Sequence, residues 1–137
     1  IAHVEAELAR RQPRSVTLVG SSLGGFYATY LAEKHGYKAV LVNPAVHAHV
    51  LMRGALGPQT SWHTGEKWEL TEAQLAALDV EAITRPERYL LLVQTGDEVL
   101  DYRDAVAYYA GATQIVEDGG DHGFAGFERH LQTILDF

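Results

Sequence analysis

Cysteine is absent from this sequence. That removes disulfide frameworks, thiolate zinc sites, iron–sulfur clusters and a cysteine nucleophile. Basic residues are few: 11 Lys and Arg stand against 18 Asp and Glu, a formal charge of −7. With no basic run either, the chain is a poor candidate for binding nucleic-acid phosphates, and no nucleic-acid partner is expected. No apolar run approaches the ~20 residues of a membrane span, and no segment has the order of a signal peptide, so no membrane partner is expected. Internal repeats, low-complexity tracts and Ser/Gly linkers are missing as well. What remains is ordinary globular composition, 47% hydrophobic and 21% charged. Its 137 residues leave room for one domain. A cytoplasmic location is the expectation.

Hydrophobic periodicity divides the chain into alternating short strands and helices. Ile1, Val4 and Leu8 share one helical face in a segment running to Gln12, which Pro13 stops. Ser15–Gly20 is short and β-branched, as a buried strand is. Gly24–His35 returns to helical spacing, with Gly36 where a C-cap glycine belongs. Lys38–Asn43, Arg88–Thr95 and Thr113–Glu117 read as further strands, and Tyr102–Ala110 and Phe124–Phe137 as helices. Residues 45–68 fit no single period and read as an insertion holding a short helix. Thr71-Glu72-Ala73-Gln74 matches a capping box ahead of a helix from Glu72 to about Leu78. This alternation implies parallel β-α-β units with helices on both faces. Ligands of such sheets bind beyond the carboxyl ends of the strands.

One of those strand ends carries Gly20-Ser21-Ser22-Leu23-Gly24, a G-x-S-x-G sequence between a strand and a helix. The spacing has a physical reason. The chain must turn sharply with Ser22 at the apex, and glycines at either side let backbone approach backbone. Ser22 Oγ then projects above the sheet, and the Leu23 N–H at the helix start faces the same point as an oxyanion donor. The plainer reading is a simple Gly/Ser turn. A phosphate loop lacks its signature, since neither G-x-x-x-x-G-K-[ST] nor G-x-G-x-x-G is present.

A serine nucleophile needs a base, and the base an orienting acid. Where this elbow occurs on a parallel sheet the chain order is Ser, then Asp or Glu, then His. Asp97 follows the third strand and His122 the fourth, so order and placement are both met. Glu98, Asp101 and Asp121 compete with Asp97, Asp101 also as a helix cap. His3, His35 and His130 fall on helix surfaces, where solvated roles are expected. His47 and His49 are spaced as metal ligands can be, but no Cys or carboxylate motif accompanies them, so no metal is expected. Trp62 and Trp68, in the insertion with His63, are candidates for an acyl pocket or for simple packing.

Taken together, Gly20–Gly25, Leu41–Ala45, Gln94–Arg103 and Gly119–Phe124 resemble the YqiA-like family of small bacterial esterases in the α/β-hydrolase superfamily. The resemblance runs from about Ser15 to the C-terminus. It implies an α/β-hydrolase three-layer sandwich with a mainly parallel sheet, hydrolysis of carboxylic esters and acyl-CoA thioesters, and no cofactor. It carries the nucleophile onto Ser22, the acid onto Asp97 and the base onto His122. A non-catalytic binding module and an acyltransferase on the same fold are the alternatives. Such proteins begin with a strand and a His-Gly-Phe-like loop that supplies a second oxyanion amide. No such segment precedes Ile1 here, and the elbow strand would be an apolar sheet edge of the kind proteins avoid. The expectation is therefore one domain over 1–137, N-terminally incomplete, with a cap-like insertion at about 45–80. The oligomeric state is left open.

Overall fold

A computed structural model describes residues 1–12, 16–61 and 64–137, without the side chains of His49 and Leu51. Pro13, Ser15, Trp62 and His63, all named above, therefore lie outside the described residues. Four parallel strands form the centre: β1 (Thr17–Ser21), β2 (Lys38–Val42), β5 (Tyr89–Gln94) and β6 (Thr113–Glu117), in the spatial order β1-β2-β5-β6. Between β2 and β5 the chain forms a short helix, α3 (Ala48–Met52), an antiparallel hairpin of β3 (Gly57–Thr60) and β4 (Lys67–Leu70), and α4 (Glu72–Ala76). The remaining helices are α1 (Ala2–Leu8), α2 (Leu23–His35), α5 (Tyr102–Tyr108) and α6 (Leu131–Asp136).

The two central strands are buried on both faces, as their unbroken apolar runs require. Alternation divides their side chains between two cores. Ala39, Leu41, Tyr89, Leu91 and Val93 pack with Ala28, Leu31 and Ala32 of α2 and with Ala105 and Tyr109 at α5. Val40, Val42, Leu90 and Leu92 face the other way, against Phe124, Phe127, Ile134 and Phe137. Helices thus cover both faces, which gives three layers. Among the described residues β1 pairs only with β2, and its Val19 stays 55% exposed, as the reading of an edge strand anticipated. No helix of the described residues is long and apolar enough to cross a membrane.

Several sequence readings need correction. The hairpin β3–β4 was not anticipated within 45–68. Its strands have four residues each, β3 carries Gly57 and Pro58, and only Leu70 is buried, so the Lys67-Trp68-Glu69-Leu70 alternation is too short to mark a strand by itself. The C-terminal helix does not begin at Phe124. Gly126 adopts a left-handed conformation, a 3-10 turn follows over Phe127–His130, and only then does α6 start. α1 ends at Leu8 rather than Gln12. The capping box is present as read: Gln74 N–H donates to Thr71 Oγ1 and Thr71 N–H to Gln74 Oε1. His35, 31% exposed, and His130, 12% exposed, are paired rather than free in solvent. Each places Nε2 2.8 Å from a glutamate, Glu5 and Glu117 respectively.

Candidate active site

The end of β1 turns directly into α2, with Ser22 at φ 53°, ψ −125° as the N-cap. A non-glycine residue in this region carries strain of roughly 1–3 kcal/mol, which persists only when the surroundings impose it. They do so here. Ser22 N–H donates to Val42 O, and Ser22 O accepts from Gly25 N–H and Ala45 N–H. Gly20 is required, because a Cβ there would overlap the Gly24 carbonyl. At Gly25 a Cβ would stand 2.6 Å from Pro44 Cβ. Gly24 differs from its expected role: among the described residues its Cβ would meet open space. Its carbonyl, not its missing side chain, is what crowds Gly20. The Leu23 N–H is the first of α2 and, as a first-turn donor, has no acceptor within the helix. It stands at the positive end of a 13-residue helix.

The three residues carried by the motif reading meet at this elbow. His122 Nε2 is 3.0 Å from Ser22 Oγ. His122 Nδ1 is 2.9 Å from both carboxylate oxygens of Asp97. Asp97 Oδ1 also accepts the N–H groups of Val99 and Leu100, each at 2.9 Å. Its side chain is only 2% exposed. Burial alone would raise the Asp97 carboxyl above its ordinary value. The Leu100 N–H, the His122 imidazole and the Val99 N–H together outweigh that and lower it. Nδ1 faces an acceptor, so it carries the ring proton and Nε2 presents a lone pair to the serine hydroxyl.

The competing carboxylates have other partners. Asp101 caps α5 through Arg103 N–H and pairs with the Arg103 guanidinium, which with that N–H lowers its carboxyl to about 2. Glu98 Oε2 accepts the main-chain N–H of His122 at 3.0 Å. Asp121 is exposed. The sequence reading gave no role to Asn43 and Gln94, each 2% exposed and polar. The only sequence signal was a polar residue closing each of two apolar strands. Among the described residues no group of three or more His, Asp or Glu side chains could hold a metal. His47 and His49 lie at the start of α3.

A cavity of about 270 Å³ borders Asp97, together with Thr95, Glu98, Val99 and Leu100. A larger one, about 590 Å³, is lined by Val4, Tyr27, Leu31, Trp68, Leu70 and Leu78, and none of Ser22, Asp97 or His122 borders it. Trp68 thus lines an apolar space, but away from the nucleophile. Another, about 440 Å³, lies against Pro44, Val46, Val50, Val99 and Leu100 with Asp101 and Asp104 also on its wall, and it too borders none of Ser22, Asp97 or His122.

A known family matches this chain over residues 1–137, described as "Uncharacterised protein family (UPF0227)". The chain belongs to that family. The UPF0227 chain is also similar to solved structures. Est1E from Butyrivibrio proteoclasticus with bound ferulic acid superposes at TM-score 0.66 and 16% identity, over 99% of this chain and 64% of that one. Alpha/beta hydrolase domain-containing protein 10 from mouse gives TM-score 0.60 and 17% identity over 98% and 65%. The esterase domain of a Rhodothermus marinus protein gives 0.58 and 15% over 94% and 61%. These likenesses establish the α/β-hydrolase fold. The chain spans less than two-thirds of the length of each.

Proposed function

We propose that this UPF0227 protein is a serine esterase, with Ser22 as nucleophile, His122 as general base and Asp97 as orienting acid. The observation that carries the reading is the continuous hydrogen-bond relay from Ser22 Oγ through His122 to Asp97. Ser22 Oγ attacks the ester carbonyl while His122 Nε2 takes the hydroxyl proton. Asp97 stabilises the imidazolium and keeps the proton on Nδ1. The Leu23 N–H and the α2 terminus stabilise the oxyanion. His122 then returns its proton to the departing alkoxide, leaving an acyl-enzyme that water cleaves by the same steps. Acyl transfer through serine calls for no cofactor.

The substrate class follows from chemistry at the site. The esterases among the similar structures, one holding ferulic acid, support small carboxylic esters. Acyl-CoA thioesters are the second class. Glu98 and Asp121 flank His122 and the chain carries −7 overall, which favours uncharged esters over the polyanionic coenzyme. Segment 45–80 is the cap in this reading: Met52 and Leu78 pack with Leu100 on the Phe26–Ala45–Ala48 cluster behind the elbow. Treatment with a fluorophosphonate followed by peptide mass spectrometry tests the proposal. Ser22 is expected to carry the label, and Ser22→Ala to lose both label and p-nitrophenyl ester hydrolysis. Label on another residue, or none, refutes it.

A further inference from the structure

β1, which presents Ser22, and β6, which leads to His122, are opposite edges of the four-stranded sheet. At ordinary strand spacing they lie roughly 14 Å apart. The chain leaving β6 must therefore run back over the ends of β5 and β2 before His122 can reach Ser22. It does so as an irregular loop, with Gly119, Gly120 and Phe124 at positive φ. Such a loop has few main-chain partners of its own and must find them elsewhere.

The ends of the strands it crosses supply them. Gln94, closing β5, accepts Asp121 N–H and Ala125 N–H on Oε1, at 3.1 and 2.9 Å. Its Nε2 donates to Ala125 O and to Glu117 Oε2. Asn43, following β2, donates from Nδ2 to Asp121 O at 2.9 Å and His122 O at 3.1 Å. Its Oδ1 accepts Gln94 N–H at 3.0 Å. Glu98 takes His122 N–H. Both main-chain polar groups of His122 are thus held by side chains, from Glu98 on one side and Asn43 on the other. Every polar side-chain atom of the two buried amides is used, and five of their bonds go to residues 121–125. Neither amide can be flipped without setting donor against donor.

We infer that Asn43, Gln94 and Glu98 are positioning residues that carry the His122 loop across the sheet and hold the imidazole on line with Ser22 and Asp97. The inference rests on the esterase reading for its kinetic consequence, but not for its geometry. A misplacement of the base by about 1 Å costs as much as a hundredfold in rate.

The test compares Glu98→Ala, Glu98→Gln and Asn43→Gly. Glu98 is exposed, so its variants are expected to fold, and glycine accepts the left-handed φ of 40° at position 43. Glu98→Ala and Asn43→Gly are expected to lower kcat on a p-nitrophenyl ester by about tenfold or more per folded molecule, with KM within about twofold. Glu98→Gln, which keeps an acceptor for His122 N–H, recovers most of the loss. Proton NMR supplies a readout that needs no activity. The ring Nδ1–H proton held by Asp97, assigned by its disappearance in His122→Gln, is expected as a downfield resonance that broadens in Glu98→Ala and Asn43→Gly. Unchanged kcat with an unchanged resonance overturns the inference. So does a loss that only tracks the unfolded fraction, or a Glu98→Gln as impaired as Glu98→Ala. If the unsubstituted protein hydrolyses no ester and takes no label at Ser22, the esterase reading has failed. The resonance then decides the positioning role by itself.

Discussion

Asp97→Asn changes one atom and, by the geometry, reverses a proton. In the native site Oδ1 accepts two main-chain N–H groups, from Val99 and Leu100. An asparagine must keep its carbonyl oxygen there, because an amide NH2 would meet two donors. The amide nitrogen is then forced toward His122 Nδ1, where the carboxylate stood at 2.9 Å. Oδ1 is also 2.9 Å from Nδ1, but its two lone pairs are taken by the Val99 and Leu100 N–H groups, so the imidazole satisfies the new donor by carrying its proton on Nε2. Nε2, 3.0 Å from Ser22 Oγ, then has no lone pair for the serine proton. The fold is kept and the base is lost. Loss of the correct tautomer in a Ser-His-Asp site costs on the order of 10⁴ in kcat, equal to about 5.5 kcal/mol of barrier at 1.36 kcal/mol per decade. Steady-state hydrolysis of p-nitrophenyl acetate near pH 7.5 is the assay, with KM expected to stay near the native value. A kcat within tenfold of native refutes the assignment of Asp97. Stability carries a second signature. The Asp97 carboxyl is lowered in the folded protein. Its contribution is therefore fully present above the unfolded value of about 3.9 and is lost as pH falls through the lower folded value. Asp97→Asn should unfold more easily than native protein at neutral pH, and the difference should close in acid.

Three further outcomes are expected. Ser22→Gly relieves the φ of 53° and should raise stability by about 1 kcal/mol in denaturant unfolding while abolishing hydrolysis. Gly120→Ala sets a Cβ against the Gln94 amide at a φ of +75°. It should cost at least about 2 kcal/mol and disturb the His122 loop, seen as parallel losses in melting temperature and kcat. Thr71→Ala removes the capping box of α4 and should cost about 1 kcal/mol by calorimetry, with ester hydrolysis retained.

The elements that local chemistry dictates were legible. β2, β5 and β6 announce themselves as short apolar or β-branched runs, and α4 by its Thr71/Gln74 box. G-x-S-x-G between strand and helix pointed to Ser22 as the apex of the turn and the proposed nucleophile, because a tight turn with an exposed apex admits few residue types. Asp97 and His122 followed from chain order and from standing past strand ends. The β3–β4 hairpin was not legible, since its one alternating stretch, Lys67-Trp68-Glu69-Leu70, is only four residues long and its partner strand carries Gly57 and Pro58. The start of α6 was misread because Gly126 turns the chain before the helix begins.

What the sequence by itself determined is the layered fold and the chemical groups available at its strand ends. Periodicity and turn chemistry are local properties and can be read locally. Which carboxylate faces His122 was a tertiary decision: Asp97, Glu98 and Asp101 lie within five residues, and only the turn that binds Asp97 Oδ1 to Val99 and Leu100 selects among them. The same holds for Asn43 and Gln94. Nothing local distinguishes a polar residue that ends a strand from one that holds a loop arriving from residues 121–125. Only packing the far edge of the sheet back over its centre gives those amides their partners.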